Sequence, residues 1–391
     1  MIVEQLSLVD FRNYAAADVT LYAGPNVFVG RNGQGKTNLA EAIAYFATLG
    51  SHRVSQDAPM VRYGADAAFV RARLAHGERR IQLEAQLNRS GSNKARVNGS
   101  SVRTSELPRY AQVVLFAPED LQIVRGDPSA RRRFADQLLI QRVPRLAGVL
   151  GDYDRVLKQR TALLKSARAR GLRAEQLTTL DVWDDKLIAL GTEIVIARVR
   201  LADDLAAPLR EAYEAIAGAD HDPHLEWISS IGGVDPEDDA PAASADPVTD
   251  AARDPAVVSA AFRAALQAKR ASELERGVTL VGPHRDDLLL RLRGLPVKGY
   301  ASHGESWSMA LSLRLSSAQI LRDQLRLGDP IVILDDVFAE LDADRRARLA
   351  GVVAGFEQVI VTAAVEGDVP AALRARTVRV EAGAIVVDAD V

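Results

Sequence analysis

The segment Gly30-Arg31-Asn32-Gly33-Gln34-Gly35-Lys36-Thr37 has residue types and spacing that could hold a phosphate chain. It meets every fixed position of the pattern G-x-x-x-x-G-K-[ST]. Gly30, Gly33 and Gly35 let the backbone turn tightly and aim its N–H groups at phosphate oxygens. Lys36 reaches the β- and γ-phosphates, and the Thr37 hydroxyl can take one position on Mg²⁺. Asn38 to Ala47 reads as a helix whose positive end faces the same phosphates. Gly30 through Asn38 are therefore the candidate ATP contacts. The apolar run Pro25–Val29 enters the loop as a buried strand would. A chance match to the four fixed positions is on the order of 1% for a chain of this length at average residue usage. The strand before and the helix after make a plain glycine-rich turn the weaker alternative.

A second cluster of reactive types closes another apolar run. Ile331-Val332-Ile333-Leu334 leads into Asp335 and Asp336, the Walker-B arrangement of a strand ending in carboxylate. Asp335 is expected to hold Mg²⁺ together with Thr37, directly or through water. Asp336 is then placed to orient or deprotonate the attacking water. A solvated strand end or a helix cap is the plainer alternative for Asp336. About 300 residues separate Lys36 from Asp335. Compact kinases and small GTPases keep their two motifs much closer. The wide spacing implies a split ATPase domain with a large insertion, as in ABC-type ATPases that act on chromosomes.

The elements that must position these groups change character along the chain. Residues 1–118 read mostly as strands around one helix, with candidates at 2–8, 17–21, 68–74, 80–88, 95–97, 101–103 and 112–116. Asn98-Gly99 signals a tight hairpin. From about 129 to 218 the chain is rich in Ala, Leu, Arg and Glu at helical spacing, including Leu187, Leu190, Ile194, Ala197 and Leu201. Residues 232–256 form an acidic, Pro- and Ala-rich stretch that reads as a disordered loop. A helix follows over 257–276, and strands return at 279–281, 288–292, 331–334 and 359–362.

Bulk properties narrow the class. The chain has 391 residues, 48% hydrophobic and 26% charged, which is ordinary globular composition with room for two domains. A formal net charge of −3 means that any DNA contact rests on local basic patches. With no cysteine, disulfides and thiolate metal sites are excluded. No secretory signal and no apolar run of about 18 residues is visible, so a cytoplasmic protein without a membrane partner is expected.

Further motifs carry a family resemblance over nearly the whole chain. They are Leu6-x-Leu8 leading to Phe11-Arg12-Asn13-Tyr14, Pro118-Glu119-Asp120-Leu121, Arg131-Arg132-Arg133-Phe134, Leu280-Val281-Gly282-Pro283-His284-Arg285-Asp286-Asp287, and Leu334 through Asp342. On these the chain resembles the RecF family of bacterial recombination-repair ATPases, of the wider ABC/SMC type. The resemblance implies an α/β fold: an ABC-type P-loop ATPase head from residues 1–118 and 277–391, with an inserted helical lobe at 119–276. It implies that Ala301-Ser302-His303-Gly304-Glu305-Ser306 is a variant ABC signature, whose Ser302 and Gly304 reach the γ-phosphate bound by the other protomer of a dimer. Here His303 and Glu305 replace a glycine and a glutamine, so the contact of Glu305 is expected to be indirect. Asp342 becomes the residue of the D-loop at the dimer interface, and Thr362 takes the switch position. Arg12 and Asn13 would lie near the base or ribose, with a plain turn as the alternative. With Lys36, Ser302 and Asp336 in the catalytic roles, ATP closes a homodimer on DNA and slow hydrolysis releases it. The family's partners follow: single-stranded and gapped duplex DNA, the mediators RecR and RecO, and the recombinase RecA, in fork restart and the SOS response.

Some assignments stay open. Arg131–Arg133 are candidates for DNA contact or for a solvated helix end. Arg62, Arg71 and Arg73 are further basic candidates, of which strand alternation aligns only the last two. His284 and Arg285 serve either a functional role or a structural ion pair. No Q-loop glutamine is evident. Among rival classes, an SMC-type condensation ATPase would need long heptad arms, and a transporter subunit would need closer motifs and a membrane partner. A P-loop ATPase or kinase with a non-DNA substrate would need neither signature nor dimer.

Overall fold

The computed structural model describes residues 1–54, 56–172, 178–232, 253–324 and 328–386. Most of the expected 232–256 loop lies outside the described residues. Its end does not: Pro255 already opens a helix, with Asp254 accepting the N–H of Ala256 at 2.8 Å.

Two compact units emerge. The first comprises Met1–Leu121, Pro208–His221 and Ser302–Val391. Its strands are β1 (Ile2–Phe11), β2 (Tyr14–Thr20), β3 (Gly24–Val29), β4 (Ala67–His76), β5 (Arg79–Asn88), β6 (Lys94–Val97), β7 (Ser100–Val102) and β8 (Val113–Phe116). They continue with β12 (Ile331–Asp335), β13 (Gln358–Ala363), β14 (Arg376–Glu381) and β15 (Ala384–Val386). Its helices are α1 (Lys36–Thr48), the end of α5 (Thr178–Ala217), α8 (His303–Gln324) and α9 (Ala343–Val353).

These strands build two sheets. One is antiparallel, ordered β2-β1-β4-β5-β6-β7, and alternates buried and exposed residues along β2 and β4 as a sheet with one wet face does. The other, β15-β14-β3-β13-β12-β8, is parallel from β14 to β8. Every residue of β12 and β13 is buried, which explains their unbroken apolar runs. Helix α1 joins the two sheets into one core. Leu39, Ile43 and Phe46 share a cluster with Leu6, Phe11, Val70 and Leu83 of the first sheet and with Phe28, Ile333 and Ile360 of the second. A helix apolar on nearly all sides is stable only when covered on nearly all sides. In the parallel sheet Asp335 pairs with Thr362, and Thr362 with Phe28, so three strand ends come into line.

The second unit comprises Gln122–Ala207 and Asp222–Ala301. Helices α2 (Leu121–Arg125), α3 (Pro128–Arg142), α4 (Leu146–Ala169), most of α5 and α6 (Pro255–Arg276) accompany a small antiparallel sheet. That sheet is ordered β11 (Leu295–Pro296), β10 (Asp287–Leu292), β9 (His224–Ile228), and the short turn α7 (Val297–Tyr300) follows it. Tyr153, Leu187, Ile194, Phe262 and Leu266 form its main core. Residues 277–301 fall in this unit rather than with the head, because β10 pairs with β9 through Leu288–Trp227 and Leu290–Leu225. Residues 279–281, expected as a strand, are irregular; Thr279 and Gly282 instead offer their carbonyls to side chains. Among the described residues no helix is long and apolar enough to cross a membrane.

Candidate functional site

The phosphate-loop segment leaves the C-terminal end of β3 and runs into α1. Gly35 is the residue before the helix, with φ of 121°. An added Cβ there would lie 2.8 Å from both the Asn13 amide and the Tyr14 hydroxyl, so glycine is required by conformation and by space. No side chain caps the start of α1, which leaves its first N–H groups turned to the loop. The Lys36 side chain is buried and curls back to the Arg31 carbonyl at 3.4 Å, a long contact for an ammonium.

The carboxylate pair stands beside this loop. Thr37 Oγ1 donates to Asp335 Oδ1 at 2.9 Å, joining residues 298 positions apart. Thr362 Oγ1 donates to the same oxygen at 2.6 Å and accepts the Asp336 N–H at 2.9 Å. Asp336 adopts a left-handed conformation, φ 52°, which turns the chain sharply at the strand end. Burial raises its proton affinity above the usual carboxylate range; the Lys36 charge opposes that shift, and Asp335 and Glu119 reinforce it. A carboxyl so placed accepts a proton more readily than a solvated one. Thr37 and Asp335 offer hard oxygens within one hydrogen bond of each other, which fits Mg²⁺ held by one carboxylate, one hydroxyl and phosphate.

His52 escaped sequence reading. Its Nε2 lies 3.6 Å from Asp335 Oδ2 and is buried without a hydrogen-bond partner. Nothing in the local sequence marked it, because only the return of the chain after α1 brings it there.

The turn between β1 and β2 anchors the loop. Asn13 Nδ2 donates to the Gln34 carbonyl at 2.8 Å, and Tyr14 donates to the Gly35 carbonyl at 3.1 Å. Asn38 Nδ2 donates to Asn13 Oδ1 at 2.7 Å, and the Gly383 N–H reaches the Gln34 carbonyl at 3.0 Å. Arg12 is committed elsewhere. Its guanidinium makes a bidentate pair with the fully buried Glu41, at 2.7 and 2.5 Å, and a further bond to the Pro59 carbonyl. In this structure Asn13 is a direct brace of the phosphate loop and Arg12 is part of an internal ion pair.

The signature segment opens α8. The Ser302 N–H donates to Glu305 Oε2 at 2.9 Å, and the Glu305 N–H donates to Ser302 Oγ at 3.2 Å, a reciprocal capping box. A capping box accepts either glutamate or glutamine at this position. Asp342 caps α9 by accepting the Arg345 N–H at 2.8 Å. That bond, with the nearby Arg345 charge, holds its carboxyl below the usual range.

The second charge-rich motif, Leu280 to Asp287, is internal to the other unit. His284 Nδ1 accepts from Tyr153 at 2.8 Å and its Nε2 donates to the Thr279 carbonyl at 3.2 Å, which fixes the neutral tautomer. Burial pushes its pKa down to about 3. Asp287 takes a bidentate pair from Arg131 at 2.6 and 2.8 Å, and Arg132 donates to the Asp286 carbonyl at 2.7 Å. Arg131 is therefore buried and paired rather than at a solvated helix end, Arg132 is half-buried, and Arg133 is exposed. Arg71 and Arg73 are exposed on one sheet face, beside Glu84 and Glu4 at 3.5 and 3.3 Å.

A phosphate loop at a strand end, a carboxylate strand two strands over and a discontinuous chain define an ABC-type P-loop ATPase head with an inserted helical lobe. A solved recombination mediator RecF bound to ATP has a TM-score of 0.81 with this chain at 25% identity, covering 98% of each. The Smc head domain of Pyrococcus furiosus matches at 0.51 and 14% identity, covering 98% of this chain and 94% of that one. The family model described as RecF/RecN/SMC N-terminal domain matches residues 2–385. The DNA replication and repair protein RecF of Clavibacter sepedonicus is 58% identical, over 99% of this chain and 95% of the relative. That of Leifsonia xyli is also 58% identical, over 99% of each. The chain belongs to the RecF family, a branch of the RecF/RecN/SMC N-terminal domain proteins.

Proposed function

We propose that this protein is an ATP-dependent DNA-binding switch of recombinational repair and replication-fork maintenance. The observation that carries the nucleotide part is the bond between Thr37 and Asp335, with Thr362 bound to the same carboxylate. It unites the phosphate loop and the Walker-B strand in one site. Gly30 to Asn38 bind the phosphates, Lys36 supplies charge to them, and Thr37 with Asp335 hold Mg²⁺. Mg²⁺ held there would offset the negative charge of the bound phosphates. Asp336 orients or takes a proton from the attacking water.

Ser302, Gly304 and Asp342 serve the partner's nucleotide in an ATP-dependent homodimer. ATP then acts as a population switch: the bound dimer closes on gapped or junction DNA, and slow hydrolysis opens it. The names of the relatives, DNA replication and repair proteins, and of the solved RecF in the RecFOR pathway support DNA, RecR and RecO as partners; recombinase loading and SOS induction belong to the same proposal.

Light scattering with ATP and Mg²⁺ tests this on wild type, Lys36→Met and Ser302→Arg, with and without gapped DNA. A dimer that needs ATP, is lost in both variants and is strengthened by DNA is the expected outcome. A chain that stays monomeric with ATP and DNA bound sinks the switch and favours a P-loop ATPase or kinase acting on another substrate.

A further inference from the structure

Arg345 lies in the first turn of α9, three residues after the cap Asp342. A cation there opposes the helix dipole and is disfavoured unless something offsets it. Three contacts do. Its Nη1 pairs with the Asp342 carboxylate, and its Nε donates to the buried Ser308 hydroxyl at 3.0 Å. Its guanidinium also lies directly against Gly304: a Cβ added to Gly304 would fall 2.8 Å from Nη2 and 3.1 Å from Nη1. Ser308 lies one turn into α8, and Gly304 lies in the signature itself. One side chain thus joins the D-loop segment to the signature segment.

We infer that Arg345 is a positioning residue that locks Ser302–Ser308 and Asp342 into a single rigid face for the partner protomer. The planar guanidinium suits this. It presents donors in two directions while its Nη atoms lie against the glycine, which a single lysine ammonium cannot do. Gly304 accordingly has a role within its own chain, since any side chain there displaces the guanidinium. This inference rests on the ATP-dependent dimer proposed above.

The test compares Arg345→Ala, Arg345→Lys, Asp342→Ala and the double variant Arg345→Ala/Asp342→Ala. Titration with a fluorescent ATP analogue reports nucleotide binding by the monomer, and light scattering reports the dimer. Hydrogen exchange over 302–308 in the monomer reports the lock itself. Arg345→Ala should keep monomer nucleotide affinity within about twofold, raise exchange over 302–308 and weaken the dimer by about tenfold or more. Lysine should not restore it. In the Asp342→Ala background the further loss should fall below about twofold, because the two residues act as a unit.

Unchanged exchange over 302–308, full rescue by lysine, or additive losses would overturn the inference. A wild-type protein that never dimerises sinks the dimer reading instead, and the monomer exchange result still decides whether Arg345 locks the two segments.

Discussion

The segments Gly30–Asn38 and Leu280–Asp287 are both short motifs that contain glycine and charged residues. Their polar groups meet different fates. In the first, α1 begins without a side-chain cap and Lys36 reaches one carbonyl at 3.4 Å. In the second, both His284 nitrogens are engaged, Asp286 accepts from the Ser230 N–H and hydroxyl, and Asp287 is paired to Arg131. A site keeps donors in reserve for a ligand, whereas a structural network uses them on itself. The uncapped helix start and the loosely held Lys36 therefore mark the first segment, although Thr37 and Asn38 are bonded within it.

Breaking the internal network should have the largest effect on stability. Arg131→Met strands the buried Asp287 carboxylate, which costs about 3–5 kcal/mol. Denaturant unfolding of the variant measures this, and the folded fraction should bind ATP as wild type does. A variant of normal stability would show that the pair is not the strut it looks to be.

The opposite pattern is expected at the phosphate loop. Lys36→Met should weaken ATP binding by about 100-fold, equal to about 2.7 kcal/mol, with little change in unfolding midpoint. Calorimetric titration together with thermal melting would separate binding from folding. Destabilisation with retained affinity would reverse the comparison.

Gly282 sharpens it at the backbone level. Its φ is 128°, and a Cβ there would meet the Tyr153 hydroxyl at 2.5 Å and the Phe262 ring at 2.8 Å. Gly282→Ala should cost about 1–3 kcal/mol by strain and overpacking, again without altering nucleotide affinity. An equilibrium unfolding curve that matches wild type would show that the core yields there.

A pH dependence tests the same network through its histidine. The folded pKa of His284 is depressed from 6.5 to about 3, so the unfolded chain binds the extra proton first on acidification. The stability it contributes is complete above pH 6.5 and declines as pH falls towards 3, by up to about 1.4 kcal/mol per pH unit. Asp286, raised by burial, works in the opposite sense below its own folded pKa. His284→Asn should flatten the limb between pH 6.5 and 4 in urea-unfolding midpoints. An unchanged limb would move the titration to another group.

Much was legible because its causes are local. The spacing of Gly30, Gly35, Lys36 and Thr37 reflects how a backbone wraps phosphate, and the sequence Ile331 to Asp336 reflects a strand buried on both faces. The Asn98-Gly99 hairpin appeared where turn chemistry puts it, with φ values of 50° and 81°. Other features were hidden because their causes are distant. The strands at 224–228 and 376–381 alternate polar and apolar residues but are short, and the partners that make them strands, β10 and β3, lie far away in sequence. The helical unit took 277–301 for the same reason.

At the site, the sequence by itself determined which residue types could bind phosphate and metal, since those requirements lie in side-chain chemistry and short spacing. Only the tertiary structure decided which of them meet. Thr37 and Asp335 touch across 298 positions, His52 faces the same carboxylate, and Arg345 reaches Gly304. It also gave Arg12 and Arg131 each a buried carboxylate partner. Which carboxylate an arginine meets across the chain is a property of packing rather than of order along the sequence.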